Sequence, residues 1–211
     1  MQFSGPRTAA VHAGRLDLVG LGVHAPPLDL SSTYPLGDVD VAGASYESMA
    51  SGGHPTEGGP VYARLWNPTV ARFESALATL EGTGEAVAFS SGMAALTAAL
   101  LACLREGQPH VVAVRPLYGG TDHLLATGLL GTEVTWAEPG GIAAAIRPDT
   151  GLVICETPAN PTLELLDISD AVAQAGEVPV LVDSTFATPS RCASARAAAA
   201  LPAFLARCSS S

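Results

Sequence analysis

The sequence contains no lysine, and all ten of its basic residues are arginines. No step that requires a lysine amine can therefore be carried out by a residue of this chain. The net charge is −10, which excludes a basic nucleic-acid surface as the main function. Hydrophobic residues make up 48% of the 211, which excludes a disordered chain and predicts one domain of ordinary size.

Long apolar runs are also missing. The longest, such as Ala94–Leu104, are too short to span a bilayer, and the N-terminus lacks the basic start and apolar block of a signal peptide. These absences predict a cytoplasmic protein that binds neither membrane nor nucleic acid. The four cysteines have no metal-ligand spacing, so we predict no metal site. Cys103 and Cys155 lie in apolar runs and are predicted to be buried free thiols.

Composition divides the chain into three stretches. Residues 1–60 are rich in Gly, Pro, Ser and Thr, and we predict an irregular N-terminal arm there. Residues 61–189 alternate between helical and strand patterns. Residues 190–211 are dominated by Ala, Ser, Arg and Cys and contain no acidic residue, so the composition changes abruptly after Pro189.

The middle stretch predicts an α/β domain. A helix is expected from Pro68, capped by Asn67 and ended by Gly82, with an apolar face of Val70, Phe73, Leu77 and Leu80. Continuous apolar strands then alternate with helices, which is typical of a mainly parallel sheet covered on both faces. The predicted strands are Glu85–Gly92, His110–Val114, Glu133–Ala137, Gly151–Glu156 and Pro179–Asp183, and the predicted helices are Met93–Leu104, Gly119–Leu130, Gly141–Ile146 and Leu166–Gly176.

Ligands of such sheets bind beyond the carboxyl ends of the strands, where several candidate residues fall. The turn "SSGM" at Ser90–Met93 begins a helix and suits a phosphate, although a tight turn needs glycine in any case. Tyr118 suits stacking on a flat ring, or simply caps the core. Asp183 ends a buried strand and needs a partner, which is either a protonated ring nitrogen or a local backbone N–H.

Two further segments carry candidate residues. Tyr62 and Arg64 lie two residues apart before a helix, and an arginine beside a hydroxyl suits a phosphate as well as it suits solvent. The proline-pinned loop "ETPANPT" holds Glu156 and Asn160. No glycine pattern of a dinucleotide fold or a P-loop is present, which disfavours an unrelated nucleotide-binding α/β protein.

Taken in order, the segments "YARLWNPTVARFESALATLEG", "AVAFSSGMAAL", "LYGGT", "ETPANPT" and "VDSTFATP" resemble the cystathionine γ-synthase/γ-lyase family of trans-sulfuration enzymes. The resemblance runs from about Arg7 to Pro189. It implies the fold type I architecture of pyridoxal phosphate (PLP) enzymes, which is like that of aspartate aminotransferase. The part present is the large domain, incomplete at the C-terminus, with residues 1–60 as the arm and 61–189 as a partial PLP-binding domain.

The resemblance also implies a role for each matching residue. Gly92 and Met93 bind the PLP phosphate through their backbone, and Asp183 pairs with the ring nitrogen. Tyr118 stacks on the ring and assists proton transfer, so it is the one catalytic residue of this chain that the resemblance implies. The remaining cofactor-binding assignments are Glu156, Asn160, Thr185 and, reaching the phosphate of a neighbouring subunit, Tyr62 and Arg64. The working site is therefore expected to need a homo-oligomer, a dimer or a tetramer.

The family acts on sulfur amino acids by cleaving or forming C–S bonds, as cystathionine γ-lyases, cystathionine γ-synthases or methionine γ-lyases. The sequence does not discriminate among lyase, synthase and sulfhydrylase. The family pattern continues to a segment H-S-x-T-K with the Schiff-base lysine, and this chain has none. We therefore expect a truncated, inactive form whose residues 190–211 arose by a frameshift and which lacks the C-terminal small domain. The alternative is a non-catalytic partner of full-length subunits.

Overall fold

The computed structural model describes residues 5–187 and 203–206, and it divides the chain into two compact units, Met1–Ala88 and Phe89–Ser211. The first unit is helical. Its helices are α1 (Pro6–His12), α2 (Leu18–Leu21), α3 (Val39–Ala50) and α4 (Pro68–Glu81). The predicted boundaries after residues 60 and 189 stay predictions.

Helix α4 begins as the sequence predicts. Asn67 accepts hydrogen bonds from the N–H groups of Thr69 and Val70, and Gly82 ends the helix in a left-handed conformation. The predicted apolar face is only partly buried, because Phe73 is 57% exposed and Val70 is also exposed. Within the described residues of this unit, Ala78 and Glu81 are the buried side chains of α4.

Helix α3 corrects the prediction that residues 1–60 are irregular. Asp38 caps it by accepting from the N–H groups of Asp40 and Val41, and the helix buries Ala42, Ser45 and Met49. Two of these three buried residues are small, and one of those is polar, so the buried face left no apolar period in the sequence. Beyond α3 the arm is irregular as predicted, because residues 51–60 form no helix or strand.

The second unit is a parallel sheet with helices on both faces, as predicted. Its strands are β1 (His110–Val114), β2 (Glu133–Ala137), β3 (Thr150–Glu156), β4 (Val180–Asp183) and β5 (Ala203–Ala206), and its helices are α5 (Gly92–Arg105), α6 (Gly119–Thr127), α7 (Ile142–Ala145) and α8 (Ile168–Ala175). The strand order is β2-β1-β3-β4-β5, and every neighbouring pair is parallel.

The strands alternate their side chains between two apolar layers, as a parallel sheet requires. Val112, Val153 and Val182 pack on one face with α7 and α8. Val111, Leu152 and Leu181 pack on the other face, where Leu96 and Leu100 of α5 and Leu125 of α6 cover the sheet. Helix α5 is apolar almost all round, which favours burial on every side, but its Leu101 is exposed, so one side faces away from the sheet.

The structure lacks one predicted strand and contains one strand that was not predicted. The described residues of Glu85–Gly92 form no strand, and Val87 is exposed, because an apolar run becomes a strand only where a neighbouring strand satisfies its backbone. Conversely, Ala203–Ala206 pairs in parallel with Val180–Asp183, where no element was predicted. A short apolar run can pair with an open strand edge whatever its flanking composition.

Among the described residues, no helix is both long and apolar enough to cross a membrane. The same residues contain no cluster of three or more His, Cys, Asp or Glu side chains that could hold a metal ion.

Candidate functional site

A cavity of about 410 Å³ lies in the second unit, beyond the carboxyl ends of β1, β3 and β4. Its wall is formed by the start of α5 and by the loops that follow these three strands. Seven of the nine predicted site residues line it: Gly92, Met93, Tyr118, Glu156, Asn160, Asp183 and Thr185. The parallel pairing explains this gathering, because Glu156 and Asp183 are register partners at the ends of β3 and β4.

The start of α5 forms one side of the cavity. Ser91 is the N-cap, and its Oγ accepts from the N–H of Ala94 at 3.1 Å. The N–H groups of the first helical residues, Gly92 and Met93, have no acceptor within the helix. They lie at the positive end of the helix dipole, which favours an anionic group.

Tyr118 lies between β1 and α6 as the N-cap residue of that helix. Its side chain is 45% exposed and lines the cavity. The ring lies against Gly120, because a β-carbon built on Gly120 would be 2.5 Å from Tyr118 Cε1. The Tyr118 ring is therefore held against the backbone at the start of α6.

Glu156 is buried at the end of β3, and both of its carboxylate oxygens accept backbone hydrogen bonds. Oε1 accepts from the N–H of Asn160 at 2.8 Å, and Oε2 accepts from the N–H of Tyr118. Burial raises the pKa of Glu156, the two N–H donors act to lower it, and the charge of Asp183 raises it further.

Asp183 is partly buried at the end of β4. Its Oδ1 accepts two hydrogen bonds from Thr185, one from the backbone N–H at 3.0 Å and one from the hydroxyl at 2.5 Å. Within the described part of the chain no hydrogen bond reaches Oδ2. Of the two partners predicted for Asp183, the structure shows the local backbone N–H, which is that of Thr185. The second carboxylate oxygen is left for a ligand.

Tyr62 and Arg64 lie in the first unit. The guanidinium carbon of Arg64 is 5.1 Å from the centre of the Tyr62 ring, a cation–π distance. Residues 61–63 pair with residues 32–34 in a short antiparallel bridge, in which the Ala63 N–H donates to the Ser32 carbonyl at 2.9 Å. The structure therefore orders this pair locally, and neither residue lines the cavity of the second unit.

Several cavity residues were not identified as site residues from the sequence. Ser91, Thr121 and Phe186 line the cavity beside the predicted residues, and Thr121 is buried with its hydroxyl 4.0 Å from the sulfur of Met93. The signal for Thr121 was its position three residues after Tyr118, which places both on one side of the first turn of α6. The remaining wall is apolar, formed by Leu96, Leu117, Ile154 and Leu181.

Comparison with known proteins identifies the family to which the chain belongs. The family model of the Cys/Met metabolism PLP-dependent enzymes matches residues 7–198. An L-methionine gamma-lyase of Brevibacterium sandarakinum is 62% identical over 87% of this chain and 47% of its own length. A cystathionine gamma-synthase of Mycobacterium tuberculosis is 41% identical over 89% of this chain and 46% of its own.

Solved structures agree. A cystathionine gamma-lyase from Micromonospora echinospora superposes with a TM-score of 0.71 and 38% identity, over 90% of this chain and 46% of that one. The chain thus spans about half the length of the curated relatives it matches. The match over residues 7–198 shows that this chain belongs to the Cys/Met metabolism family of PLP-dependent enzymes, whose cofactor is pyridoxal 5′-phosphate.

Proposed function

We propose that this chain binds PLP in the cavity beyond β1, β3 and β4, as part of an enzyme that cleaves or forms C–S bonds of sulfur amino acids. One observation carries the proposal. The α5 N-terminus, the ring of Tyr118 and the carboxylate of Asp183 line a single cavity in a chain of this family.

The donor set of the cavity fits the cofactor. The N–H groups of Gly92 and Met93 suit a phosphate, the exposed face of Tyr118 suits a pyridine ring, and Oδ2 of Asp183 is open to a ring N–H. The cavity volume of about 410 Å³ is within the usual range of small-molecule sites, roughly 300–1,000 Å³.

Each residue then has a distinct task. Asp183, oriented by its two hydrogen bonds from Thr185, would hold a proton on the ring nitrogen by charge pairing. Tyr118 would stack on the ring and exclude water from it. When bound, PLP supplies the electron sink for bond cleavage at the substrate's α-carbon. Tyr62 and Arg64 contribute phosphate contacts to a neighbouring subunit, so the working form is a homo-oligomer in the cytoplasm.

The 211-residue chain itself does not catalyse this chemistry, because it contains no lysine to hold the cofactor covalently. It binds PLP through phosphate contacts, stacking and the Asp183 pair alone. The second candidate function, a non-catalytic partner, is favoured by the same combination of a formed cavity and absent lysine. Co-purification with a lysine-containing relative supports that second function, and its absence from such a complex opposes it.

Titration of the purified chain with PLP, followed by the absorbance of bound cofactor, tests the proposal. We expect saturable binding that Asp183→Asn weakens on the order of tenfold, since about 1.4 kcal/mol of lost charge pairing changes the affinity by that factor. Asp170→Asn is the matched control, because Asp170 is exposed in the first turn of α8. Equal affinities for the two variants, or no saturable binding by the unaltered chain, contradict the proposal.

The predicted tail requires a separate test. Residues 190–211 lie almost entirely outside the described residues, and their proposed origin is a frameshift after Pro189. The gene should be read in all three frames from the codon of Val182 through the next few hundred bases. A continuation containing H-S-x-T-K in another frame supports a frameshift, whereas no such continuation in any frame refutes it.

A further inference from the structure

Tyr118 and Asn160 lie on two separate loops that meet at one buried side chain. The strands before these loops, β1 and β3, pair directly, but their ladder ends at Ala113 and Ile154. Beyond that point, regular strand pairing does not link the two loops. The carboxylate of Glu156 joins them, because one oxygen accepts from the Tyr118 N–H and the other accepts from the Asn160 N–H.

We propose that Glu156 is a positioning residue, which ties the loop after β1 to the loop after β3 and thereby fixes Tyr118 and Asn160 at the cavity. Its contribution to cofactor binding rests on the proposed function, whereas the tie itself can be tested with no ligand present. Both oxygens of Glu156 accept backbone N–H groups, so the proposed role acts through Tyr118 and Asn160.

The N–H group of Tyr118 has no alternative acceptor within α6. Tyr118 is the N-cap residue of that helix, and N–H groups at a helix start lack intrahelical acceptors. Glu156 is only 5% exposed, so water does not readily replace it. Loss of the carboxylate therefore leaves a donor unsatisfied, and the backbone of Tyr118 is free to move.

The ring of Tyr118 follows its backbone closely. Gly120 meets the ring two residues later, with no space for a β-carbon between them. A shift of the Tyr118 N–H away from Glu156 consequently moves the ring that faces the cavity. The hydrogen bond to Glu156 and the contact with Gly120 therefore both restrain the position of that ring.

A carboxylate is required here, and an amide of the same shape does not suffice. Two N–H donors converge on the two oxygens of Glu156, and a glutamine has only one oxygen to accept them. In Glu156→Gln the amide NH2 therefore faces one of the two backbone N–H groups. The substitution preserves the volume of the side chain but removes one of the two hydrogen bonds that link the loops.

Hydrogen exchange of single amides, measured by mass spectrometry on the 211-residue chain without ligand, tests the tie. We expect the Tyr118 or Asn160 amide of Glu156→Gln to exchange on the order of tenfold faster, as for loss of one hydrogen bond to a charged group. Val112 and Ile154, in the paired strands, report whether the sheet stays intact. The matched control is Glu164→Gln, the same substitution at an exposed side chain of the same loop.

The outcomes separate this proposal from the proposed function. Unchanged exchange of both amides in Glu156→Gln overturns the tie, whatever the PLP affinity. Faster exchange with an unchanged PLP affinity overturns the positioning of the cofactor site, whereas faster exchange with PLP affinity reduced several-fold supports it. If the unaltered chain binds no PLP, the proposed function fails, and the amide result still decides whether Glu156 ties the loops.

The unaltered chain provides a second measurement in case Glu156→Gln does not fold. The Tyr118 and Asn160 amides should exchange far more slowly than unstructured amides, although neither lies within a strand ladder or receives an intrahelical acceptor. Protection of both supports the tie. Exchange of either at the unprotected rate overturns it.

Discussion

The ring of Tyr118 lies so close to Gly120 that a β-carbon on Gly120 would come within 2.5 Å of ring atom Cε1. The adjacent Gly119 has open space around the corresponding position. The two consecutive glycines at the start of α6 thus differ in their surroundings, and only Gly120 must lack a β-carbon for the ring to lie where it does.

Gly120→Ala should therefore weaken PLP binding, while Gly119→Ala should not. The added methyl group displaces the aromatic ring that the proposed function places on the cofactor. Stacking contributes about 0.5–1.5 kcal/mol, which corresponds to a change in affinity of roughly two- to tenfold. PLP titration of both variants checks this. Equal affinities would show that the ring tolerates displacement or does not contact the cofactor.

The parallel core of the second unit could be predicted from the sequence because its signals are local. The run at His110–Val114 is mostly β-branched and apolar, the run at Glu133–Ala137 contains Val, Thr and Trp, and both strands form with the predicted bounds. Parallel pairing then places Glu156 beside Asp183 without any further information. Most of the candidate site follows from that one topological fact.

The parts that were not predicted depend on distant partners. The bond between Glu156 and the backbone of Tyr118 spans 38 residues and leaves no trace in the types of neighbouring residues. Whether Glu85–Gly92 forms a strand depends on a neighbouring strand, which its own apolar pattern does not encode. The burial of the small residues of α3 likewise depends on the residues that pack against them, so it could not be predicted from the sequence of the helix alone.

A second glycine prediction concerns the core. A β-carbon on Gly151 in β3 would lie 2.5 Å from the carbonyl oxygen of Gln108 and 3.0 Å from Cβ of Cys103 in α5. Gly151→Ala should lower the free energy of unfolding by about 1–3 kcal/mol, as overpacking usually does. Urea unfolding midpoints measure the loss, with Gly119→Ala as the control in open space. A midpoint equal to that of the unaltered chain would contradict the close approach.

Asn67 should stabilise the first unit in two ways. Its Oδ1 caps α4 by accepting from Thr69 N–H at 2.9 Å, and its Nδ2 donates to the carbonyl of Asp29 and to the hydroxyl of Tyr34. Asn67→Ala removes both, whereas Asn67→Ser keeps a capping oxygen. We expect the alanine variant to lose about 1 kcal/mol more than the serine variant.

Thermal or urea unfolding of these two Asn67 variants measures the difference. If serine and alanine destabilise equally, the cap contributes nothing, and the loss comes from the bonds to Asp29 and Tyr34 alone. If neither variant changes the unfolding transition, the predicted contribution of both the cap and these bonds is wrong.

His110 provides a test of stability against pH. It is fully buried at the start of β1, with Nδ1 2.7 Å from the hydroxyl of Thr150 and Nε2 2.8 Å from the hydroxyl of Thr135. The Thr150 hydroxyl also accepts from the N–H of Arg147 at 2.7 Å. Both hydroxyls can donate or accept, so it is the burial of the ring, rather than its partners, that favours a neutral imidazole.

Burial lowers the pKa of His110, and the charge of Arg147 lowers it further, whereas Asp149 and Glu133 act to raise it. The unfolded chain therefore binds a proton that the folded chain resists once the pH falls below about 6.5, the ordinary histidine value. The stability associated with neutral His110 is complete above that pH and is lost as the pH falls toward the lowered folded-state pKa. The slope approaches about 1.4 kcal/mol per pH unit.

Urea unfolding between pH 8 and pH 5 should show this slope in the unaltered chain and in His123→Gln, whose histidine is exposed on α6. His110→Gln should be less stable at pH 8 but should lose less stability on acidification, because the group that binds the proton on unfolding is gone. If His110→Gln and His123→Gln give the same pH slope, His110 is protonated equally in both states, and the interpretation of its buried, neutral ring is wrong.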